Sequence, residues 1–332
     1  MKKVGIEEVA HVAGVSTTTV SRVMNGVSTV SEENRRRVND AIRKLKYRPN
    51  PSAQRLAGGK ANTVGLIIPR FEGIFHSYYA MQVLQGIGGT AERIRSDLLL
   101  HITDGVSFPK GVDGAIFVDI FGCEDLLDRS LDMELPVVIL NHYLNELPIS
   151  CVAIDNKTAA EHVVDYLVKL GHKEIATITG DLKTQAGLDR YDGFVKAIKS
   201  HQMQLRDDYI KFADFGLPSA RVAAEALFTM SDRPTAVFVA SDDMALEAIN
   251  IAQSKGLRVP EDISIIGFDD NPAAVHARVP LTTVSQPLRK MGSLSLDILS
   301  DLMSGKKQNP TKMLLPTELV ERQSCRQTWL ER

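Results

Sequence analysis

The chain has 332 residues, 44% of them hydrophobic and 24% charged, with a formal net charge of −2. This length accommodates two or three domains, and the composition excludes disordered and fibrous proteins. No apolar run approaches the roughly 20 residues that span a bilayer, and the N-terminus lacks a signal-peptide pattern. We therefore expect a cytoplasmic protein with no membrane partner.

Charge is distributed unevenly along the chain. Residues 1–60 contain 12 Lys/Arg and 5 Asp/Glu, whereas the remainder contains 27 and 36. A basic arm on an acidic body is typical of a protein that binds a polyanion through one end. The three cysteines, Cys123, Cys151 and Cys325, have no metal-ligand spacing, which indicates reduced, packed residues. We expect neither a metal nor a cofactor.

The N-terminal stretch predicts a helix-turn-helix. Apolar residues at i, i+3, i+4 and i+7 from Ile6 to Ala13 mark a first helix, Gly14 supplies the turn, and Ser16 can cap a second helix. A plain helical hairpin with a solvated face is the alternative, but turn, cap and polar row together favour DNA binding. The predicted contacts to bases and phosphates are Ser16, Thr17, Thr18, Thr19, Ser21, Arg22 and Asn25.

A third helix and a short linker helix follow. Ser31 can cap the third helix, whose inner stripe is Val38, Ala41, Ile42 and Leu45. The prolines at 49 and 51 end it, and Asn50 can cap a short helix that runs through Ala57. Because so short a helix is unstable alone, we expect it to order on DNA, with a plain linker as the alternative.

From Thr63 onward, apolar strands alternate with amphipathic helices in two successive series. This pattern predicts an α/β core of two lobes, each a doubly wound parallel sheet, with a cleft at the carboxyl ends of the strands. The predicted strands are 64–68, 98–102, 115–118, 137–140, 151–154, 175–179, 209–212, 236–239, 263–267 and 313–320. The predicted helices lie near 78–95, up to 133, 157–170, 187–200, 218–230, 242–255 and 288–303.

These motifs together resemble the lactose-repressor/galactose-repressor (LacI/GalR) family. The resemblance is carried by Ala13-Gly14-Val15-Ser16 and Thr19-Val20-Ser21-Arg22-Val23 in the headpiece. In the core it is carried by Arg190-Tyr191-Asp192-Gly193-Phe194, Ser241-Asp242-Asp243-Met244-Ala245 and Gly267-Phe268-Asp269-Asp270. The run Ser16–Ser21 is also similar to that of the purine repressor, and the core is similar to the periplasmic sugar-binding proteins.

The resemblance implies a ligand-responsive repressor that binds a pseudo-palindromic operator as a homodimer, or as a tetramer. Paired hinge helices would enter the minor groove, where Tyr47, Asn50 and Ala53 contact DNA and Leu56 acts as an apolar wedge. It divides the chain into a headpiece (1–47), a hinge (48–60), an N-terminal lobe (61–154 plus about 287–314) and a C-terminal lobe (155–286 plus about 315–332).

Six residues are candidate effector contacts. Arg190 is expected in a loop before a helix, either holding hydroxyls or a carboxylate or forming a structural salt bridge. Asp242 is expected to point a hydroxyl acceptor into the cleft, with helix capping as its other role. Asp269 follows a strand directly, although its segment also suits an ordinary turn. The full predicted set is Phe75, Asn141, Arg190, Asp242, Asp269 and Gln286.

Two observations limit the functional interpretation. Only about a dozen residues separate the strands near 98–102 and 115–118, where the family has a crossover helix, so we expect a poorly covered sheet face there. No activated nucleophile or phosphate loop is present, which disfavours an enzyme, and a solute-binding protein would lack the basic arm. A sugar or sugar derivative is the expected effector, with a purine or nucleoside as the alternative.

Overall fold

The computed structural model describes residues 5–24, 29–47, 62–70, 74 and 77–328. These form two compact units, divided between Ala61 and Asn62. In the described ranges no helix is both long and apolar enough to cross a membrane.

The N-terminal unit is a three-helix bundle with the predicted helix-turn-helix. Gly14 ends the first helix at φ 64°, and Ser16 Oγ caps the second by accepting from Thr19 N–H at 3.1 Å. The core of this unit is built from small side chains, which lets short helices approach closely: Val9, Ala10, Ala13, Val20, Val23, Val38 and Ala41. The helices are α1 (Ile6–Ala13), α2 (Thr17–Met24) and α3 (Glu32–Leu45).

The first lobe of the core is a six-stranded sheet in the order β11-β5-β4-β3-β1-β2, and every pairing is parallel. Three helices belong to it: α4 (Tyr78–Ile94), α5 (Glu124–Asp132) and α11 (Leu288–Met303). Its strands are β1 (Thr63–Pro69), β2 (Asp97–Thr103), β3 (Gly114–Val118), β4 (Val137–Leu140), β5 (Ser150–Ile154) and β11 (Lys312–Leu315).

The second lobe is a four-stranded parallel sheet in the order β7-β6-β8-β9. Its strands are β6 (Ile175–Ile178), β7 (Ile210–Lys211), β8 (Ala236–Val239) and β9 (Ser264–Ile266). Its helices are α6 (Asn156–Lys169), α7 (Gln185–Ser200), α8 (Leu217–Phe228), α9 (Asp242–Ser254) and α10 (Pro272–His276). A separate antiparallel pair joins β10 (Thr283–Ser285) to β12 (Glu318–Val320).

The two-lobed α/β architecture is as predicted, and two local expectations are wrong. The terminal segment is two strands instead of one, because Pro316 lacks an N–H and stands where the chain leaves the first sheet for the β10 pair. The strand expected over 209–212 is only two residues long, since residues 207–209 form a 3₁₀ turn.

The connection between β2 and β3 contains no helix, in line with its length. The loop covers part of the sheet itself. His101 Nε2 lies 2.6 Å from the Ser107 carbonyl oxygen, and a Cβ on Gly65 would meet Val112 Cγ1 at 3.2 Å. Leu98 and Leu100 on the edge strand remain exposed. Gly65 therefore provides the space in which the loop packs.

Candidate DNA-binding surface and effector cleft

The outer face of α2 presents the predicted DNA contacts to solvent. Ser16, Thr17, Thr18 and Arg22 are exposed, and Thr19 and Ser21 are half-buried. Thr19 Oγ1 lies 2.9 Å from Ser16 Oγ, so these two hydroxyls also stabilise the helix start. The described members of the predicted set thus lie on one short helix and its N-cap, and exposed Arg22 supplies the positive charge. Asn25, Asn50, Ala53 and Leu56 lie outside the described residues.

Two headpiece residues have structural contacts that were not predicted from sequence. Arg37 reaches the turn, where its Nη2 donates to the Gly14 carbonyl at 3.4 Å. A Cβ at Gly14 would lie 2.3 Å from that nitrogen, which ends a flexible side chain that can move aside, so it is the positive φ of 64° that favours glycine there. Tyr47, predicted to contact DNA, is half-buried against the headpiece core.

In the core, backbone strain is concentrated after the carboxyl ends of the strands. Asp119 follows β3 at φ 74°, Asn141 follows β4 at φ 64°, and Asp269 follows β9 at φ 124°. Phe215, in the segment after β7, has φ 68°. Non-glycine residues adopt positive φ infrequently, and such residues accumulate at ligand sites. The strained positions line the edge at which parallel sheets bind ligands.

Arg190 is the cation of this cleft. It lies within α7, not in the preceding loop as predicted, because Thr184 caps the helix and starts it before Gln185. Its guanidinium Nε donates to Asn156 Oδ1 at 2.9 Å, and Nη1 donates to the Ala240 carbonyl at 2.5 Å. Within the described chain Nη2 has no hydrogen-bond acceptor and Arg190 forms no salt bridge, which leaves a donor available to a ligand.

Aromatic packing holds the guanidinium in place. Arg190 Cζ lies 3.7 Å from the Phe268 ring centroid, within cation–π range. Burial lowers the pKa of Arg190 to about 10, and Asp269 opposes that shift. The side chain therefore stays cationic at neutral pH despite being only 5% exposed. The salt-bridge alternative for this residue is not supported.

Asp269 and Gln286 form a hydrogen-bonded pair beside Arg190. Gln286 Nε2 donates to Asp269 Oδ1 at 2.5 Å. Burial raises the pKa of Asp269 to about 8, although the Arg190 charge lowers it. At neutral pH this carboxyl group is therefore largely protonated and can donate as well as accept a hydrogen bond.

Three buried polar atoms of the core have no hydrogen-bond partner among the described residues: Tyr79 Oη, Asn141 Oδ1 and Gln286 Oε1. Burial raises the pKa of Tyr79 well above its usual value, with further contributions from Asp119 and Asp269 and an opposing one from Arg190. An unsatisfied buried polar group costs about 1–3 kcal/mol, so such a set indicates a site that a ligand completes.

Asp242 does not point into the cleft as predicted. It is fully buried, its Oδ1 accepts from Thr283 Oγ1 at 2.6 Å, and its Oδ2 accepts from the Asn271 N–H at 2.7 Å. Burial raises the pKa of Asp242 to about 6. Both oxygens are occupied in joining α9 to β10 and to the N-cap of α10, so the residue has a structural role. Ser241 Oγ caps the helix, as the alternative interpretation held.

Phe215 is a cleft residue that the sequence did not reveal. Its ring packs on Gly180, where a Cβ would lie 2.1 Å from ring atom Cζ, and its centroid is 6.0 Å from Arg190 Cζ. Asp214 Oδ1 accepts from the Gly216 N–H at 3.0 Å and so holds the turn that contains Phe215. No local motif signals this residue. Phe75, predicted as an effector contact, lies outside the described residues.

Comparisons with known proteins agree with both units. Residues 5–50 match the family model of bacterial regulatory proteins, lacI family, and residues 164–325 match the periplasmic binding protein-like domain. Catabolite control protein A of Priestia megaterium is 34% identical, over 97% of this chain and 99% of its own.

Solved structures give the same result. The Lac repressor dimer bound to operator and the anti-inducer ONPF has a TM-score of 0.82 at 29% identity, covering 98% of this chain and 100% of that one. The transcriptional regulator CelR–cellobiose complex has a TM-score of 0.73 at 30% identity, covering 97% and 99%.

A helix-turn-helix unit joined to a two-lobed core with an incomplete polar cleft defines a ligand-binding transcriptional regulator. The relatives are DNA-binding regulators, not enzymes. The chain belongs to the LacI family of transcriptional repressors. It binds operator DNA and a small-molecule effector. In the part of the chain that the structure describes, no group of His, Cys, Asp or Glu is arranged to hold a metal ion.

Proposed function

We propose that the effector of this repressor is a sugar or sugar derivative held between Tyr79, Asn141, Arg190, Asp269 and Gln286. The three unpartnered polar atoms carry the proposal. Sugar hydroxyl groups both donate and accept, so they can satisfy the Asn141 and Gln286 oxygens while accepting from Arg190 Nη2. The CelR–cellobiose complex supports this choice, because its chain shares the fold over almost its full length.

The second part of the proposal concerns the operator. A homodimer would bind a pseudo-palindromic site, with α2 of each headpiece in the major groove. The hinge, residues 48–60, would lie in the minor groove with Leu56 as its wedge. The exposed polar face of α2 and the basic N-terminal 60 residues support this arrangement. Effector and operator would be coupled through closure of the two lobes.

A purine or nucleoside effector is the second candidate, and Phe215 favours it. Its ring reaches the cleft beside Arg190, and the strained backbone at φ 68° is held by Asp214. A flat aromatic base could stack on such a ring while its edge meets the amide oxygens. The apolar face of a sugar can pack on the same Phe215 ring. The sugar and the purine or nucleoside would therefore occupy the same site.

The test is a thermal-shift screen of the full chain against sugars, sugar acids, sugar phosphates, nucleosides and purine bases. A ligand at one hundred times its dissociation constant should stabilise the fold by about 2.7 kcal/mol. Stabilisation by a sugar that also alters operator affinity would support the proposal. Stabilisation by purines alone would select the second candidate, and a response to none of the panel would contradict both.

A further inference from the structure

One side chain joins the two lobes beside the cleft. Gln185 is the first residue of α7 in the second lobe, and Tyr143 lies three residues beyond β4 of the first lobe. Gln185 Oε1 accepts from the Tyr143 backbone N–H at 2.5 Å, and its Nε2 donates to the Tyr143 carbonyl oxygen at 3.1 Å. The Gln185 side-chain amide thus pairs with both the N–H and the carbonyl group of Tyr143, as the backbone of a neighbouring β-strand would.

The chemistry of this contact is specific to glutamine. A backbone N–H only donates and a carbonyl oxygen only accepts, so the Tyr143 backbone itself dictates which amide atom faces each group. A carboxylate of the same size keeps the acceptor but places a second acceptor against the carbonyl. A leucine of similar volume has neither group. The Tyr143 side chain takes no part, because both bonds are to its main chain.

The contact is built on the same two segments as the proposed effector site. Tyr143 lies two residues beyond Asn141, and Gln185 lies five residues before Arg190 on the same helix. A movement that separates Gln185 from Tyr143 should therefore also displace the segment that carries Arg190 relative to the segment that carries Asn141. Opening of the cleft requires both hydrogen bonds to break, whether or not an effector is present.

We propose that Gln185 is a positioning residue that holds the lobes closed in the ligand-free protein and so sets how much the effector must contribute to closure. This inference rests on the proposed function insofar as the cleft is the effector site. Two ordinary hydrogen bonds at a partly solvated position should change the closed-to-open ratio about tenfold. Effector affinity should fall in proportion to the closed fraction, because only that state offers the complete site.

The experiment measures lobe separation directly and needs no ligand. Nitroxide labels are placed at exposed positions of the two lobes through Asp132→Cys and Lys183→Cys, and labelled full-length chain is mixed with excess unlabelled chain. Pulsed electron spin resonance then gives the intramolecular distance distribution for wild type, Gln185→Leu and Gln185→Glu. Gln253→Leu is the matched control, because this half-buried helical glutamine lies on α9, outside the cleft segments.

Both Gln185 variants should shift the ligand-free distribution from one closed distance towards a longer one, whereas Gln253→Leu should match wild type. Melting temperatures of all variants identify any that fail to fold. A leucine variant that folds normally and keeps the wild-type distribution would overturn the inference, as would a glutamate variant that stays closed, because the donor bond would then be dispensable.

Failure of the Gln185 inference can be distinguished from failure of the proposed function. If the wild type binds no sugar, nucleoside or purine, the effector proposal fails, yet the ligand-free distances still decide the role of Gln185. If ligand binds, the Gln185 variants should bind it more weakly by the factor that the distance measurement gives. Equal affinity in wild type and Gln185→Leu, at clearly different distance distributions, would contradict the coupling.

Discussion

The headpiece and the cleft recognise their ligands with opposite arrangements of polar groups. At α2 the described candidate contacts lie close together in the chain, from Ser16 to Arg22, are exposed or half-buried, and are supported by small buried residues beneath them. In the cleft they come from separate segments between Tyr79 and Gln286, and their polar atoms are buried. A helix that binds in a DNA groove needs hydrogen-bond donors that are accessible on one face. A site that encloses a ligand needs donors and acceptors that are buried away from water.

The difference has an energetic consequence. An exposed side chain on α2 can change without loss of stability, since water satisfies its neighbours. A buried polar residue in the core can be substituted without loss of stability only if its hydrogen-bond partners find new donors or acceptors. Mutation of an exposed α2 residue that caps nothing, such as Arg22, should therefore affect binding alone, and mutations around the cleft should affect stability, ligand response or both.

The largest expected effect tests whether Asp242 is structural. Asp242→Ala should lower the free energy of unfolding of the core by about 3 kcal/mol, because the Thr283 hydroxyl and the Asn271 N–H lose their acceptors. Asp242→Asn is the control and should cost less than about 1 kcal/mol, since its amide can accept from Asn271 and donate to Thr283. Urea denaturation measures both. A stable Asp242→Ala variant that had lost ligand binding would show instead that Asp242 contacts the ligand in the cleft.

Arg190 should show the opposite behaviour, with ligand response lost and DNA binding retained. Arg190→Lys keeps the charge next to Phe268 but cannot donate to Asn156, Ala240 and a ligand from one planar group. The ligand-induced stabilisation of about 2.7 kcal/mol at hundredfold excess should disappear. Operator affinity without ligand should equal that of wild type. Loss of that affinity would show that the residue is structural, and an undiminished ligand response would place the effector elsewhere.

On the headpiece, Arg22→Ala should cost about 2 kcal/mol in operator binding and relax specificity at one base position, with no change in unfolding. Arg43→Ala is the matched control, because Arg43 is an exposed α3 arginine paired with Asp40. Binding to a panel of operator variants measures both. If Arg22→Ala weakened every sequence equally, its contact would be to phosphate instead of a base.

The smallest effect concerns acid stability. Burial lowers the pKa of His172 to about 4, and its ring nitrogens face Thr235 Oγ1 and the Arg326 carbonyl. Because the folded pKa lies below the unfolded value of 6.5, this residue destabilises the core as pH falls from about 6.5 towards 4. At pH 5.5 the loss should be about 1.4 kcal/mol.

His172→Gln isolates this contribution. Asp242 and Asp269 have raised pKa values and act in the opposite direction, so only the difference between wild type and variant is informative. The gap in unfolding free energy between the two proteins should narrow by about 1.4 kcal/mol from pH 8 to pH 5.5. A constant gap would show that His172 titrates normally.

The contrast between the two units also explains what the sequence could reveal. The helix-turn-helix is encoded within about 20 residues, so the spacing of Ile6, Gly14 and Ser16 predicts it directly. The sheets follow from alternating periodicity, and most strand bounds are predicted to within two residues. Arg190 was predicted as a ligand contact and remains a candidate, but it lies on α7 and not in a loop before it.

The remaining cleft features depend on contacts distant in sequence. Whether Asp242 faces the cleft or Thr283 depends on a residue 41 positions away. The position of Phe215 in the site follows from a strained turn and from the space above Gly180, neither of which has a local signature. Charge and spacing predict which elements form. The direction of a buried polar side chain depends instead on tertiary contacts with residues that are distant in sequence.

The loop that replaces the crossover helix changes how mutations act on the first lobe. A covering helix spreads its contacts over several turns, so the loss of one is shared among the others. Here the covering element is a loop whose Val112 lies over Gly65, so a methyl group at Gly65 would meet Val112 Cγ1 at 3.2 Å and require it to shift by a few tenths of an ångström. A substitution at Gly65 would therefore act on the loop that covers this sheet face, without changing any residue assigned to DNA or effector binding.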